Sequence, residues 1–367
     1  MSQPEVLCRW RAAISSHFHH LSKPQARVLA VYSVGIALAK RCALAATAEA
    51  LAVLGKPDTV ERRLQRFLSN ARIDWAVSSQ ALAAWVLAAF SGSLVVLLVD
   101  ETSLQDKLRV MSVCLAYRGR AIPLAWWCYR AQQWPMAQVA LIDQLLQQVA
   151  AGMPAGRTVL VQADRGIGGS PELLRRIQAL GWYYLVRVQG QVRLRLQDGR
   201  CVAFRELLPQ PARPWSGWVW AFKKAHWQRC WAVAQWKRPH QQPWLLLTNW
   251  PNAQGHWYAV RMWEELAFRD LKSCGWEWQR SRVWKPEHAN RLWLAMALAY
   301  VWTLSLGTQV IRHKALRQEL TRGKRWAHSV FRLGLRWLRR CISLGRELFC
   351  DLLLIPHVPT LSKTVVQ

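Results

Sequence analysis

Four side chains suited to holding a metal ion and phosphates recur at helical spacing between residues 258 and 272. The segment has no Gly or Pro and many good helix formers, which predicts one helix of about four turns. At about 100° per residue, one face of that helix presents Tyr258, Arg261, Glu265 and Lys272. The neighbouring carboxylate, Glu264, is predicted to point well away. A solvated charged face would give the same pattern, so the surrounding elements must separate the two interpretations.

Two apolar runs each lead directly into an aspartate. Residues 94–99 precede Asp100, and residues 158–163 precede Asp164. Because α/β sheets place their chemistry at strand ends, these carboxylates are expected to converge with Glu265. Three carboxylates without His or Cys ligands suit Mg²⁺, with Mn²⁺ as a substitute. Two such ions about 4 Å apart would hold the attacking and leaving oxygens of a phosphoryl transfer.

The elements around these residues predict an α/β class of fold. The Arg-Gly-Arg sequence at 118–120 is typical of a hairpin turn, Ser170 is placed to cap a helix that begins at Pro171, and the Trp-rich alternation from 189 to 250 indicates a β-rich insertion. Strands are predicted at 94–99, 110–117, 121–128, 158–163 and 182–188, and helices at 136–151, 171–180, 258–272 and from Pro286 to about residue 307.

Charge is the strongest global signal. Lys and Arg total 50 against 21 Asp and Glu, a formal net charge of +29, so the leading partner is a nucleic acid, with a membrane surface as the other polyanion. The helical N-terminal region resembles a DNA-binding module of helix-turn-helix type, in which Thr59 is predicted to cap one helix. That helix would present its basic side chains to DNA, with a solvated face as the alternative. These side chains are Arg62, Arg63 and Arg66.

Cysteine usage and two uncharged runs bear on the compartment. The nine Cys are scattered without zinc spacing, and the N-terminus lacks an apolar signal core, so a cytoplasmic protein is expected. Residues 76–99 and 292–311 are each long enough to cross a bilayer. Both contain small or polar residues, so they are interpreted as buried core, and no membrane partner is expected.

The pattern Tyr-x2-Arg-x3-Glu-x6-Lys resembles the signature of the insertion-sequence-4 family of DDE transposases, the YREK class. Asp100 in Asp-Glu-Thr and Asp164 in Asp-Arg-Gly match that family's first two carboxylates. Trp244 in Trp-Leu-Leu-Leu-Thr resembles the insertion-domain Trp that stacks near a flipped base in relatives, with Trp236 as the fallback. The resemblance covers roughly residues 58–305. It extends poorly to the first 50 residues and the basic tail.

This resemblance implies an RNase H-like core in the order β-β-β-α-β-α-β-α, with a β-rich insertion and a helical DNA-binding module in front. The predicted organisation is a DNA-binding region at 1–90, core at 91–189, insertion at 190–256, core at 257–310 and basic helical tail at 311–367.

The resemblance also implies cut-and-paste transposition of double-stranded DNA. Asp100, Asp164 and Glu265 would hold two Mg²⁺ ions. Phosphates of the cleaved end would be held by Tyr258, Arg261 and Lys272, with Arg269 as a helper. A homodimer acting on DNA in the bacterial cytoplasm is expected. Three rivals remain: a non-catalytic DNA-binding descendant, a general nuclease and a membrane protein.

Overall fold

Among the residues that the structure describes, five α-helices precede the sheet. The computed structural model describes residues 3–236, 241–320 and 328–357. Ser22 and Gln25 form a capping box at the start of the second helix, and Asp74 caps the fifth. The fourth helix begins at Pro57 with Lys56 at its cap, so the prediction that Thr59 caps it is wrong, because Pro at the first helical position starts it earlier. The helices are α1 (Gln3–Ser15), α2 (Lys23–Ala39), α3 (Leu44–Ala50), α4 (Pro57–Ser69) and α5 (Trp75–Ala89).

Within the described ranges, ten strands form one sheet in the order β3-β2-β1-β4-β5-β10-β9-β8-β6-β7. The pairs β1–β4 and β4–β5 are parallel, and the other pairs are antiparallel. The strands are β1 (Leu94–Leu104), β2 (Leu108–Tyr117), β3 (Arg120–Arg130), β4 (Thr158–Ala163), β5 (Tyr183–Arg187), β6 (Arg193–Arg195), β7 (Cys201–Ala203), β8 (Trp215–Ala221), β9 (Gln228–Gln235) and β10 (Trp244–Thr248).

The later helices alternate with the strands and then follow them. They are α6 (Gln138–Ala151), α7 (Pro171–Ala179), α8 (Met262–Leu271), α9 (Pro286–Arg312), α10 (Lys314–Leu320) and α11 (Val330–Ser343). Short 3₁₀ segments lie at Ala52–Leu54, Phe204–Leu207, Lys223–Ala225, Gly255–Arg261 and Trp278–Arg280. Residues 321–327 and 358–367 of the predicted basic tail lie outside the described residues.

The element order confirms the predicted fold class. Three antiparallel strands, a helix, a parallel strand, a helix and a further parallel strand precede the insertion, and α8 follows it. The hairpin between β2 and β3 turns at Arg118 and Gly119, whose φ angles of 47° and 77° are those of the turn that matches strand twist. This is a mixed α/β RNase H-like architecture with a helical module in front and a β-rich insertion.

The insertion extends the core sheet. Strand β10 pairs antiparallel with β5, so that Leu246 lies opposite Arg187, and β10 also pairs with β9. The hydrogen-bonded edge that β5 would otherwise expose is therefore covered by the insertion. This pairing fixes the position of Trp244 at the start of β10 relative to the core strands.

Helix α9 is the central helix of the protein core. It is long and apolar enough to cross a membrane, but 94% of its most apolar window is buried inside the protein. It packs against β3, α2 and α11. The other uncharged run, residues 76–99, is divided between α5 and β1. In the described ranges, only the bent pair α2 and α3 could form a second span. The interpretation of both runs as core agrees with this burial.

Two glycines let α11 lie directly on α9. A Cβ placed on Gly307 would overlap the carbonyl oxygen of Val330, and one on Gly334 would overlap that of Thr303. The two helix backbones therefore approach more closely than any side chain would permit. This contact fixes the position of α11 on the protein surface.

Candidate active site

The segment predicted as one four-turn helix consists of two elements. Residues Gly255–Arg261 form a 3₁₀ helix, and α8 begins only at Met262, so the prediction of a single α-helix is wrong. Gly255 lies so close to Gln235 that a Cβ would overlap its side-chain oxygen, which holds the start of the segment against β9. In a 3₁₀ helix, side chains three residues apart are eclipsed, so Tyr258 and Arg261 still share one face.

Arg261 bridges two of the predicted carboxylates. Its Nη2 donates to Oδ2 of Asp100 at 2.7 Å, and its Nη1 donates to Oε1 of Glu265 at 3.0 Å. The side chains of Arg261 and Asp100 are only 10% and 15% exposed, whereas that of Glu265 is 51% exposed. The guanidinium therefore lies between a buried and an open carboxylate and compensates both charges.

Asp100 lies inside a strand. β1 continues to Leu104, so the prediction that Asp100 follows the strand is wrong: parallel pairing with β4 ends at Val99, while antiparallel pairing with β2 continues past it. Burial raises the pKa of Asp100 to about 6, although Arg261 acts to lower it. The nearby charges of Asp164 and Glu265 raise the pKa of Asp100 further.

Asp164 follows β4, as predicted, and organises the turn after it. Its Oδ1 accepts hydrogen bonds from the backbone N–H groups of Gly166 and Ile167, at 2.9 and 3.2 Å. A Cβ on Gly168 would lie 2.5 Å from the carbonyl oxygen of Arg187, so this turn needs glycine to approach β5. Asp164 and Arg261 both line one cavity.

A cavity of about 300 Å³ joins these residues to the insertion. The ring of Trp244 meets that of Tyr258 edge to face, with centroids 5.4 Å apart, and Tyr258 donates to the carbonyl of Ala163 at 3.3 Å. Burial raises the pKa of Tyr258, so its hydroxyl stays protonated as a donor. The cavity is lined by Asp164, Arg165, Arg187, Trp244, Tyr258, Arg261, Met262 and Glu265.

Three lining residues were missed by the sequence interpretation. Arg165 follows Asp164 directly, and its Nη1 donates to Oε1 of Gln242 at 2.9 Å. Arg187 ends β5, and its Nη2 donates to the carbonyl of Pro243 at 3.0 Å. Met262 is an exposed apolar side chain, 48% accessible. Both arginines lie at the ends of strands, so the criterion that identified the aspartates could also have identified them.

The remaining predicted residues of this segment lie at the edge of the cavity or beyond it. Lys272 caps the C-terminal end of α8 and is half-buried; burial lowers its pKa, and Asp100 opposes that effect. Arg269 is exposed on α8. Trp236 follows β9 and is half-buried, and it is not among the described residues that line the cavity. Of the two tryptophans, Trp244 is the one that lines the cavity, and its base-stacking role stays a prediction.

Glu264 does not face solvent. It is completely buried, and Ser112 donates to its Oε1 at 3.5 Å, while its Oε2 has no hydrogen-bond partner within the part of the chain that the structure describes. Burial raises its pKa well above the ordinary range, and the charge of Asp100 adds to this. Glu264 does point away from the face of Glu265, as predicted, but toward β2 beneath Asp100.

The arginines of α4 form a separate basic region. Arg62, Arg63 and Arg66 are exposed, while Leu64, Phe67 and Leu68 are buried, as the predicted amphipathic pattern requires. Arg63 also borders a groove of about 830 Å³ between α1, α2 and α4. None of the three lines the cavity that contains Asp164 and Glu265.

The donor chemistry of the site fits divalent ions, but the three carboxylates do not surround one common position in this structure. Asp100, Asp164 and Glu265 supply only oxygen ligands, which suits hard cations. Over the described ranges, no three His, Cys, Asp or Glu side chains lie close enough to hold one ion together. The guanidinium of Arg261 already occupies a cation's position between two of them. The residues fit a metal if Arg261 is displaced.

Comparison with known protein families decides the class. A family model described as a transposase DDE domain matches residues 135–302, and a second, described as a DDE superfamily endonuclease, matches residues 17–121. Both matched families are DDE-superfamily transposase or endonuclease families, and the two matches together support a transposase-type nuclease role for this chain. Asp164 and Glu265 lie in the first matched range, and Asp100 lies in the second. No curated protein matches the chain. Divalent metal use and DNA as substrate are general properties that membership of this superfamily implies.

Proposed function

We propose that this protein is a cut-and-paste transposase of the insertion-sequence-4 type, which cleaves phosphodiester bonds at transposon ends and transfers the freed strands. The observation that supports this most is the composition of the cavity. It combines two carboxylates, three guanidinium groups and an aromatic pair within about 300 Å³. A nuclease needs the carboxylates, whereas holding one specific nucleotide also needs the cations and the rings.

Asp100, Asp164 and Glu265 are proposed to hold two Mg²⁺ ions, for which Mn²⁺ would substitute. Bound ions would supply charge neutralisation and an activated water for phosphodiester cleavage. The chain's own contribution is to fix the ligands: strand β1 holds Asp100, and the turn after β4 holds Asp164 through two backbone N–H groups. Glu265 is the most open of the three and completes the set from α8.

The cations and the rings are proposed to hold the DNA end. When Arg261 releases the carboxylates, its guanidinium can donate two parallel hydrogen bonds to a phosphate, assisted by Lys272 and, at the rim, Arg269. The hydroxyl of Tyr258 remains protonated, and it would donate to a phosphate oxygen in place of the carbonyl of Ala163. Trp244 offers a ring at the cavity wall on which an unstacked base can rest.

The helical module is proposed to bind duplex DNA away from the cleavage point. Arg62, Arg63 and Arg66 are exposed along α4, and the net charge of +29 favours any polyanion. A homodimer would hold both transposon ends together, and the site of action would be the bacterial cytoplasm.

The test is cleavage of a duplex that carries the element's own end sequence, in the presence of Mg²⁺. Asp100→Asn and Glu265→Gln should each reduce cleavage by at least about 100-fold, the scale of losing one electrostatic stabiliser of a transition state, while duplex binding is retained. Arg200→Gln, in the insertion and ion-paired with Asp198, is the matched control and should cleave normally. Unchanged cleavage in either carboxylate variant would refute the assignment. DNA binding without cleavage by the unmodified chain would support the non-catalytic descendant instead.

A further inference from the structure

Helix α11 presents an unbroken line of arginines on its outer surface. Arg332, Arg336 and Arg339 are all exposed, and their spacing of four and three residues places them within about 60° of one another on the helix. We call these three residues the arginine stripe. They belong to the basic C-terminal sequence, to which neither the carboxylate site nor the helical module assigns a role.

The opposite face of α11 is committed to the protein core. Val330, Phe331, Leu333, Trp337 and Leu338 are buried, and the glycine contacts described above hold the helix against α9. Because the apolar face is already covered, α11 has none to insert into a lipid surface. The arginine stripe is therefore a fixed, purely cationic surface on a well-packed helix.

The charge of the stripe is uncompensated. The neighbouring Arg340 pairs with Glu319 at 2.6 Å, but within the described ranges no carboxylate forms an ion pair with any residue of the stripe. Lys40, at the C-terminal end of α2, faces the same region. Burial lowers its pKa, and the charges of Arg339 and Arg332 lower it further. The charges of Lys40, Arg332 and Arg339 thus repel one another, with Arg336 on the same face of α11, and an anion bound there would relieve this repulsion.

The buried face of α11 packs against the loop that follows Lys272. Trp276 packs edge to face on Phe331, with ring centroids 5.1 Å apart, and Phe331 directly precedes Arg332. Gly275, three residues beyond Lys272, lies so close that a Cβ would be 2.8 Å from the Phe331 ring. The backbone N–H of Cys42 donates to the carbonyl of Trp276 at 2.8 Å, so the loop that follows Lys40 contacts the same loop after Lys272. One packed junction therefore connects Lys272 to the stripe.

We propose that the arginine stripe, together with Lys40, binds the sugar-phosphate backbone of duplex DNA that extends from the cleaved end past Lys272. The stripe spans about 10 Å along the helix axis, and one DNA strand advances about 3.4 Å per phosphate, so it can meet about three phosphates. Contacts of this kind position the duplex and are independent of sequence. That the duplex is the transposon end rests on the proposed function; that the stripe binds DNA does not.

The first test measures binding without divalent ions, so that cleavage plays no part. A fluorescein-labelled duplex of about 30 base pairs of arbitrary sequence is titrated between about 50 and 200 mM salt. Each lost phosphate contact reduces the slope of log K against log salt by about 0.9. The combined variant Arg332→Gln, Arg336→Gln, Arg339→Gln should reduce it by about 2 to 3 and weaken binding at least about tenfold at 100 mM.

The matched control removes three exposed arginines elsewhere: Arg175→Gln, Arg200→Gln and Arg213→Gln. It has the same net charge as the stripe variant, so an equal loss in both would mean that only total charge matters and would overturn the proposal. An unchanged slope in the stripe variant would also overturn it and would favour an acidic protein as the occupant. A variant with Lys at the three stripe positions keeps the charge and should retain most of the binding. The melting temperature of the Gln variant shows whether that variant is still folded.

The second test separates the two sources of DNA. Backbone footprinting on a duplex that carries the element's own end should show protection outside the cleavage point, and the stripe variant should lose that protection. If the footprint on the end persists while only strand transfer into a second duplex is lost, the occupant is target DNA and the assignment to the transposon end is wrong. If the chain cleaves nothing, the salt-dependence result still decides whether the stripe binds DNA.

Discussion

The guanidinium of Arg261 donates to Oδ2 of Asp100 at 2.7 Å, across 161 positions of sequence, and the same group reaches Glu265 at 3.0 Å. This cation compensates two of the carboxylates to which the proposed function assigns the metal ions. The closed pair and an ion-binding site are thus competing arrangements of the same side chains. Phosphates of an incoming DNA end offer Arg261 alternative acceptors, so DNA binding is expected to free the carboxylates.

Arg261→Gln should strengthen divalent-ion binding while it weakens the folded state. Removing the cation leaves Asp100 buried without its partner, which costs about 1–3 kcal/mol of unfolding free energy. The rise in melting temperature on adding Mn²⁺ should become larger than in the unmodified chain, because no internal cation competes. Arg165→Gln, in the same cavity but bonded to Gln242, is the control and should leave the Mn²⁺ response unchanged. A smaller Mn²⁺ response in Arg261→Gln would contradict the competition.

Asp100→Asn should stabilise the protein at pH 8 and not at pH 4. An acid whose pKa is raised in the folded state binds its proton more tightly there than in the unfolded chain. Stability therefore falls as pH rises from about 4 through about 6, and the full cost applies above that. A shift of about two pKa units corresponds to an upper limit of about 3 kcal/mol. Thermal unfolding at both pH values measures it. Destabilisation at pH 8 would mean that the pair with Arg261 outweighs burial.

Glu264→Gln and Glu265→Gln should separate two adjacent carboxylates. Glu264 is fully buried with a raised pKa, so a neutral side chain of the same shape should preserve or increase stability at pH 8, by up to about 2 kcal/mol, and leave cleavage intact. Glu265 is half-exposed, so its replacement should change stability by less than about 0.5 kcal/mol but abolish cleavage. Unfolding curves and end cleavage are measured on both variants. If Glu264→Gln loses cleavage, or if Glu265→Gln keeps it, the separation of the two roles is contradicted.

Trp244→Ala should weaken binding of a duplex that carries an unpaired base at its end. Base stacking on an aromatic ring contributes about 1–3 kcal/mol, so a loss of about tenfold or more in affinity is expected, and Trp244→Phe should retain part of it. A fully paired duplex should bind almost unchanged. Trp236→Ala is the control, since Trp236 does not line the cavity. If Trp236→Ala causes the larger loss, the base-stacking role belongs there.

Gly334→Ala should separate α11 from α9. The added methyl group would overlap the carbonyl oxygen of Thr303, and relieving that overlap costs about 1–3 kcal/mol. Because the arginine stripe depends on the position of α11, duplex binding should also weaken. Gly169→Ala is the control, since its nearest neighbour, the carbonyl oxygen of Arg165, would lie 3.8 Å from the new atom. Equal melting temperatures of the two variants would argue against the close helix contact.

Local sequence patterns predicted much of the fold. Apolar runs identified the first three strands and β4, a turn sequence identified the hairpin at Gly119, and Ser170 with Pro171 identified the start of α7. These signals depend on neighbours within a few residues, so a single sequence contains them. They also singled out Asp164 and the segment with Tyr258, whereas Trp244 was identified from the family resemblance; all three residues line one cavity.

Other features depend on distant partners that no local pattern contains. The 3₁₀ start of the segment before α8 follows from the close approach of Gly255 to Gln235. The burial of Glu264 depends on β2 lying beneath α8, which helical periodicity cannot report, because it gives the angle between side chains and not what covers them. Pairing of β10 with β5 likewise required the structure, since the alternation of a strand does not reveal its neighbour.

That β5–β10 pairing limits how this protein can be shortened or recombined. A fragment without the insertion would leave β5 as an open edge, prone to recruit a strand from another molecule, and would also lose one wall of the cavity. Grafting an insertion from a relative would need to reproduce the register of Leu246 against Arg187, because a slip of one residue would turn every side chain of β10, including Trp244, to the opposite side. The insertion and the core thus share one continuous sheet and depend on each other for its closure.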